Sequence, residues 1–290
     1  MKLLDLFSGI GGFSLGLERA GFETIAFCEI EEYPRKVLAK HWPDVPIAGD
    51  IRKLSYNRLT QELIYDGQTI YRGTIDAICG GFPCQDISVA GNQKGITAER
   101  SGLWSELHRL ISEIRPQYAI VENVTALLSG DSGRWFQRVL GDLAEIGFDA
   151  EWHCISASEL GAHHHRDRVW IICYPEHTGR AAAEIWKSNQ AGNGSNRASK
   201  EAEQFTEHGE VQSLADTDIA QRKRGRISER IQSQYAHVIS SSGWLSEPGM
   251  GRVANGISDR THRLKGLGNA VVPQIPELLG RSIMSYETDK

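Results

Sequence analysis

The chain has 290 residues, 40% of them apolar and 24% charged, ordinary values for a globular protein. That length suggests one large domain or two small ones, and a core big enough to need neither a metal nor a disulfide staple. With 32 Lys+Arg against 37 Asp+Glu the formal net charge is -5, which argues against a nucleic-acid coat and against a disordered polyelectrolyte.

The average hides an asymmetry. Residues 1–170 hold 17 basic and 23 acidic side chains, whereas residues 171–290 hold 15 and 14. No run of 18 apolar residues exists, so no membrane span is expected. The start resembles a secretory signal only superficially, because Asp5 interrupts it and glycines replace an apolar stretch. The five cysteines are an odd number, without a Cys-x-x-Cys pair or zinc spacing, which fits a reducing cytoplasm.

In chain order, residues 3–7 read as a buried strand, broken by Ser8-Gly9-Ile10-Gly11-Gly12, and residues 13–20 as a helix. Residues 24–28 form a second strand ending at Glu29, and 33–42 a helix entered through Pro34. Residues 47–48 are a brief strand before Gly49-Asp50, and 74–79 a strand running into Gly80-Gly81-Phe82-Pro83-Cys84. A helix over 103–114, a strand over 118–121, a helix over 134–146 and strands over 150–155 and 169–174 follow. From 176 to 242 the chain turns polar without a sustained period, either a small irregular domain or a partly disordered insert. A last helix spans 275–284. This alternation predicts an α/β fold with a doubly wound, mostly parallel sheet. The expected organisation is a catalytic and cofactor-binding domain over 1–174, a small, partly flexible recognition region over 175–243, and a segment over 244–290 returning to the first domain.

Ligands of such sheets bind at the carboxyl ends of the strands, where the unusual residues collect. The glycine turn after Phe7 could bring backbone N–H groups against a ligand, although a tight βα turn with no ligand would look the same. Glu29 lies about 20 residues beyond the glycines, where an acid can hold ribose hydroxyls, and Asp50 could meet an adenine amino group. No Lys or Arg follows the turn, which favours an adenosine without phosphates, such as S-adenosylmethionine, over NAD or ATP.

Cys84 follows Pro83 in a glycine-rich loop at this edge, a placement suited to an activated thiolate. Glu122 ends the neighbouring strand among apolar residues, where partial burial would keep it protonated near neutral pH; it could equally cap the next helix. Arg166 and Arg168 share one strand face and could grip a phosphate or a polar ring edge, or be a solvated pair salt-bridged to nearby acids. The run His163-His164-His165 does not suit a metal, since alternate strand residues face opposite sides.

Together these residues resemble the cytosine-5 DNA methyltransferases. Asp5-Leu6-Phe7-Ser8-Gly9-Ile10-Gly11-Gly12-Phe13 is similar to that family's first motif, and Gly81-Phe82-Pro83-Cys84-Gln85 to its Pro-Cys loop. Glu122-Asn123-Val124 matches a third motif, Arg166-x-Arg168 a fourth, and Gly268-Asn269-Ala270-Val271 the last, all in family order. His164 stands where the family usually has Gln, and residues 251–264 replace its Leu-Gln-Gly-Phe-Pro ending with a form similar to phage-borne members.

The resemblance implies a methyl transfer from S-adenosylmethionine, leaving S-adenosylhomocysteine, to carbon 5 of a flipped-out cytosine. Cys84 would add to carbon 6 and Glu122 would protonate ring nitrogen 3. Arg166 and Arg168 would hold the base, its phosphate or Glu122. By the same matching, Asp5, Phe7, Ser8, Gly9, Ile10, Gly11, Gly12, Glu29, Ile30, Asp50, Ile51, Pro83, Leu103, Asn269, Ala270 and Val271 would form the cofactor site, with no metal. Residues 91–102 resemble the family's mobile loop, with Gln85 and Ser88 facing the DNA. The basic run Arg222, Lys223, Arg224 and Arg226, with Arg252, Arg260, Arg263 and Lys265, would contact DNA, although the run could also be a solvated loop. The implied partner is double-stranded DNA, met by a monomer, with room for a cognate restriction endonuclease. A tRNA cytosine methyltransferase of the same fold and an inactive DNA-binding relative are the alternatives.

Overall fold

A computed structural model describes residues 1–82, 102–175, 227–241 and 260–288. The amino-terminal unit runs β1 (Lys2–Leu6), α1 (Gly12–Arg19), β2 (Glu23–Cys28), α2 (Glu32–His41) and β3 (Ile47–Ala48). Three short strands follow, β4 (Leu54–Asn57), β5 (Glu62–Tyr65) and β6 (Gln68–Arg72). Then come β7 (Ala77–Gly81), α3 (Leu103–Ile114), β8 (Tyr118–Val124), α4 (Ala126–Ser129), α5 (Arg134–Glu145), β9 (Phe148–Ser156) and β10 (Asp167–Pro175). The carboxyl-terminal part supplies α6 (Ser228–Ser241), α7 (Arg260–Asn269) and α8 (Gln274–Thr288).

Seven strands form one sheet in the order β3-β2-β1-β7-β8-β10-β9. All ladders are parallel except those of β10, which runs antiparallel to both β8 and β9. The central strands are apolar without alternation because helices cover both faces. Leu3, Leu4, Ile78, Cys79, Ile120, Val121, Ile171 and Ile172 are all buried. One face packs Leu107, Leu110, Ile111, Phe136 and Val139 of α3 and α5. The other packs Phe13 and Leu17 of α1 with Ile275, Leu278, Leu279 and Ile283 of α8.

The strand order reverses direction between β1 and β7, and a crevice opens outside their carboxyl ends. Because β10 is antiparallel, its first residues lie at this same edge, beside the end of β8. That reversal brings Arg166 and Arg168 to the crevice.

The α1–α8 contact is unusually close. A Cβ on Gly16 would sit 2.1 Å from the carbonyl oxygen of Pro273, and one on Gly12 2.4 Å from that of Val271. Glycine is therefore required at both positions by backbone approach, and the late segment 270–277 buttresses the first helix.

The expected strand over 74–79 is displaced toward 77–81, since Ile75 and Asp76 lead into the sheet and Asp76 accepts from the Lys2 amide at 2.7 Å. The antiparallel sheet β4-β5-β6 was not expected. Its hairpin turn carries Asp66 and Gly67 at φ 49° and 80°, the Asp-Gly pair that a primed turn favours. In the polar stretch after 175, α6 was also unexpected. Ile227, Ile231 and Val238 are buried against the layer that holds α8.

Candidate active site

The glycine turn is shaped by its neighbours. Phe7 adopts φ 54°, a left-handed conformation uncommon for a bulky residue, and Gly9 and Gly11 follow at 54° and 87°. The Ser8 amide donates to the Cys28 carbonyl at 3.1 Å, tying the turn to the end of β2. Glu29, buried at that end, accepts from the Gly9 amide through Oε2 and from the Glu31 amide through Oε1, each at 2.7 Å. Burial pushes its carboxyl up, and these N–H groups oppose the rise. Each oxygen keeps a lone pair for a further donor such as a hydroxyl.

These residues open onto a cleft of about 760 Å³. Its lining includes the expected Phe7, Gly9, Glu29, Ile30, Asp50, Ile51, Leu103, Glu122, Arg166, Arg168 and Asn269. The remaining described residues of the expected cofactor set stand back from this lining. Asp5, Ser8, Ile10, Gly11, Gly12, Ala270 and Val271 do not line the cleft. Asp5 is fully buried and accepts from the Ser14 hydroxyl at 2.7 Å, anchoring the first turn of α1. Its Oδ1 has no partner of hydrogen-bonding geometry, although the weak thiol donor of Cys79 lies near the carboxylate. Desolvation pushes Asp5 up to about 7, with Ser14 and Cys79 pulling the other way. Ser8 turns its hydroxyl back to the Asp5 carbonyl at 2.7 Å. Gly11 meets the ring of Trp42, and Gly12 meets Val271.

At the far wall, Asp50 caps a short 3-10 turn (Ile51–Lys53) by accepting from the Arg52 amide at 3.0 Å. It also pairs with the Arg52 guanidinium at 2.9 Å, which holds its carboxyl below the usual carboxylate range. Tyr33, Pro34, Gly49 and Arg52 complete this wall and were not expected. The signal for them is their position, within a few residues of the carboxyl ends of β2 and β3.

The opposite end of the cleft is electrostatically different. Glu122 stands near the end of β8 and pairs with Arg168 at 2.9 Å. Burial pushes its carboxyl up, while Arg168 and then Arg166 pull it down. Glu122 faces Gly81 across the β7–β8 ladder, and a Cβ on Gly81 would lie 2.7 Å from Glu122 Oε2. A side chain on the last residue of β7 would therefore displace the Glu122 carboxylate from this position. Arg166 donates to the Gly268 carbonyl at 2.8 Å, joining β10's lead-in to α7. Asn123 is 2% exposed and donates to the Phe82 carbonyl at 3.2 Å. That bond fixes the backbone immediately before Pro83 and Cys84.

Pro83, Cys84, Gln85 and Ser88 lie outside the described residues, as do most of the loop at 91–102, Arg222, Lys223, Arg224, Arg226 and Arg252. Arg260 and Arg263 lie on α7, with side chains outside the described set. Lys265, expected to contact DNA, lines the cleft and pairs with Glu31 at 3.0 Å. His163, His164 and His165 are exposed, and His165 meets the Ser158 hydroxyl at 3.2 Å. Among the described residues no three His, Cys, Asp or Glu side chains converge as metal ligands, and no helix is long and apolar enough to cross a membrane.

Comparison with known proteins gives a consistent set of likenesses. Residues 1–249 match the family model of the C-5 cytosine-specific DNA methylases. The chain is 35% identical over 176 residues to the Type II methyltransferase M2.BsuMI of Bacillus subtilis (strain 168), covering 59% of this chain and 41% of that one. It is 29% identical over 174 residues to the Type II methyltransferase M.HhaI of Haemophilus parahaemolyticus, covering 60% and 49%. The matched stretch thus spans less than half the length of either relative. An Escherichia coli protein assigned as a prophage-encoded DNA modification methyltransferase shares the fold with TM-score 0.59 at 17% identity, covering 99% of both chains.

Proposed function

Since the chain belongs to the C-5 cytosine-specific DNA methylase family, we propose that it methylates carbon 5 of cytosine in duplex DNA. The observation that carries this reading is the pairing of opposites in one cleft. Glu29, Phe7 and Gly9 line one end, with carboxylate acceptors beside an apolar wall, and Glu122 paired with Arg168 lines the other.

The donor set fits S-adenosylmethionine. Glu29 offers acceptor lone pairs to ribose hydroxyls, Phe7, Ile30 and Ile51 offer apolar surface to adenine, and Asn269 faces the cleft from α7. When bound, this cofactor supplies an electrophilic methyl group. Cytosine carbon 5 is a poor nucleophile, so the protein must activate the ring. Cys84, as thiolate, adds to carbon 6, while Glu122 donates a proton to ring nitrogen 3. The ring then carries electron density at carbon 5. After transfer, water takes the carbon 5 proton, the Cys84–carbon 6 bond breaks to return the thiolate, and ring nitrogen 3 gives its proton back to Glu122. The base must leave the helix stack to be reached from its face. Arg168 orients the Glu122 carboxyl, and Arg166 links this end to the wall formed by α7. The region over 175–243 supplies target recognition, with Arg222, Lys223, Arg224 and Arg226 on the DNA.

Bisulfite sequencing of DNA from cells expressing the chain tests the activity and reports the site. Cys84→Ser should abolish methylation while DNA binding survives, and DNA bearing 5-fluorocytosine at the target should form a denaturant-stable adduct with the wild type. Methylation of tRNA but not of DNA, or full activity of Cys84→Ser, would overturn the reading.

A further inference from the structure

Arg109 sits in the middle of α3 and does not line the cleft. Its guanidinium nevertheless joins two of the cleft's walls. Nη2 donates to the carbonyl oxygens of Leu54 at 2.8 Å and Ile51 at 3.2 Å. Nε donates to Glu106 at 2.9 Å and Nη1 to Glu113 at 2.7 Å, both on α3. Glu113 then accepts from the Tyr56 amide at 3.0 Å through its other oxygen. One side chain and its partner thus take up three backbone groups of the segment 51–56.

Those groups matter because of what lies beside them. Ile51 is itself a wall of the cleft, directly after Asp50. Leu103, at the start of α3, is another wall. The segment 51–54 is a 3-10 turn entering an edge strand, with few ladder bonds of its own. The planar, forked guanidinium suits this arrangement, since it can hold two carbonyls and two carboxylates in one geometry.

We propose that Arg109 is a positioning residue for the cofactor: it sets the separation between Ile51 and Leu103, and with it the width of the nucleoside end, without touching the ligand. This rests on the reading that the cleft takes S-adenosylmethionine. The residue should govern affinity rather than chemistry, because the Glu122 end does not depend on its hydrogen bonds.

The test compares Arg109→Gln, Arg109→Lys and Glu106→Gln in the full chain. Binding of S-adenosylmethionine and S-adenosylhomocysteine is measured by titration calorimetry, and KM and kcat on methylatable DNA by methyl incorporation. Arg109→Gln should weaken both ligands by roughly tenfold, the loss expected when buried carbonyls lose their donor. KM for S-adenosylmethionine should rise in step, with kcat at saturation within about twofold of wild type. Arg109→Lys keeps the cation and should lose less. Glu106→Gln, which keeps both carbonyl contacts, should bind like wild type even if its melting temperature falls. Unchanged affinity in both Arg109 variants, or a fall in kcat with KM unchanged, would overturn the assignment. A wild type that binds neither ligand would refute the cofactor reading itself, and this assignment with it.

Discussion

Replacing Asp5 by asparagine should invert in its effect on stability as pH is raised. Asp5 is fully buried, and desolvation pushes its carboxyl from the ordinary 3.8 up to about 7. The folded state therefore binds the proton more tightly than the unfolded state does, and stability must fall as pH climbs from about 4 to about 7. At roughly 1.4 kcal/mol per pH unit the full loss is about 4 kcal/mol, nearly complete by pH 8. Asparagine keeps an oxygen for the Ser14 hydroxyl but places an amide where Oδ1 has no partner, a pH-independent cost of about 1–3 kcal/mol. The variant should thus be less stable than wild type at pH 4.5 and more stable, by about 2 kcal/mol, at pH 8. Urea unfolding at both pH values measures the difference, and other carboxylates cancel in it. A wild-type-minus-variant difference that stays constant between the two would refute the reasoning.

Gly16→Ala should destabilise by roughly 2–4 kcal/mol, because the new Cβ meets backbone of α8 that cannot rotate away; an unchanged urea midpoint would show that the α1–α8 crossing can open freely. The proposed proton donation by Glu122 requires its acid form, so kcat/KM should decline on the alkaline side. Arg168 is the larger of the two charges holding its carboxyl down, so Arg168→Gln should move that decline to higher pH, and movement to lower pH in a pH–rate profile would contradict the assigned pairing.

Much of the fold was legible because its period signals were long. The alternation of apolar strands with amphipathic helices over 1–174 maps onto the sheet and its covering layers. What was missed has a local cause. Strands β4, β5 and β6 are four or five residues long, too short for alternation to stand out, and only Asp66-Gly67 announced the turn. Helix α6 was hidden by composition: Ile227, Ile231 and Val238 lie on one helical face, but polar residues dilute them.

At the site, position was easier to read than contact. Glu29, Asp50 and Glu122 fall at strand ends and do face one cleft. Asp5, which the motif places with the cofactor residues, directs its carboxylate to the Ser14 hydroxyl in the first turn of α1, a contact the motif does not announce. The partner of Lys265, Glu31, lies 234 residues earlier, a contact no local pattern encodes.

The buttressing of α1 by residues 270–277 has a consequence for the timing of folding. During synthesis β1, α1 and β2 emerge long before α7 and α8. The nascent chain therefore carries the glycine turn and its strands without their outer wall, and Phe13 and Leu17 wait uncovered. Gly266, Gly268 and Asn269 arrive late and complete the cleft's lining. A chain cut short before α7 would hold Glu29 and Glu122 but lack the part of the cleft wall that residues 265–269 supply.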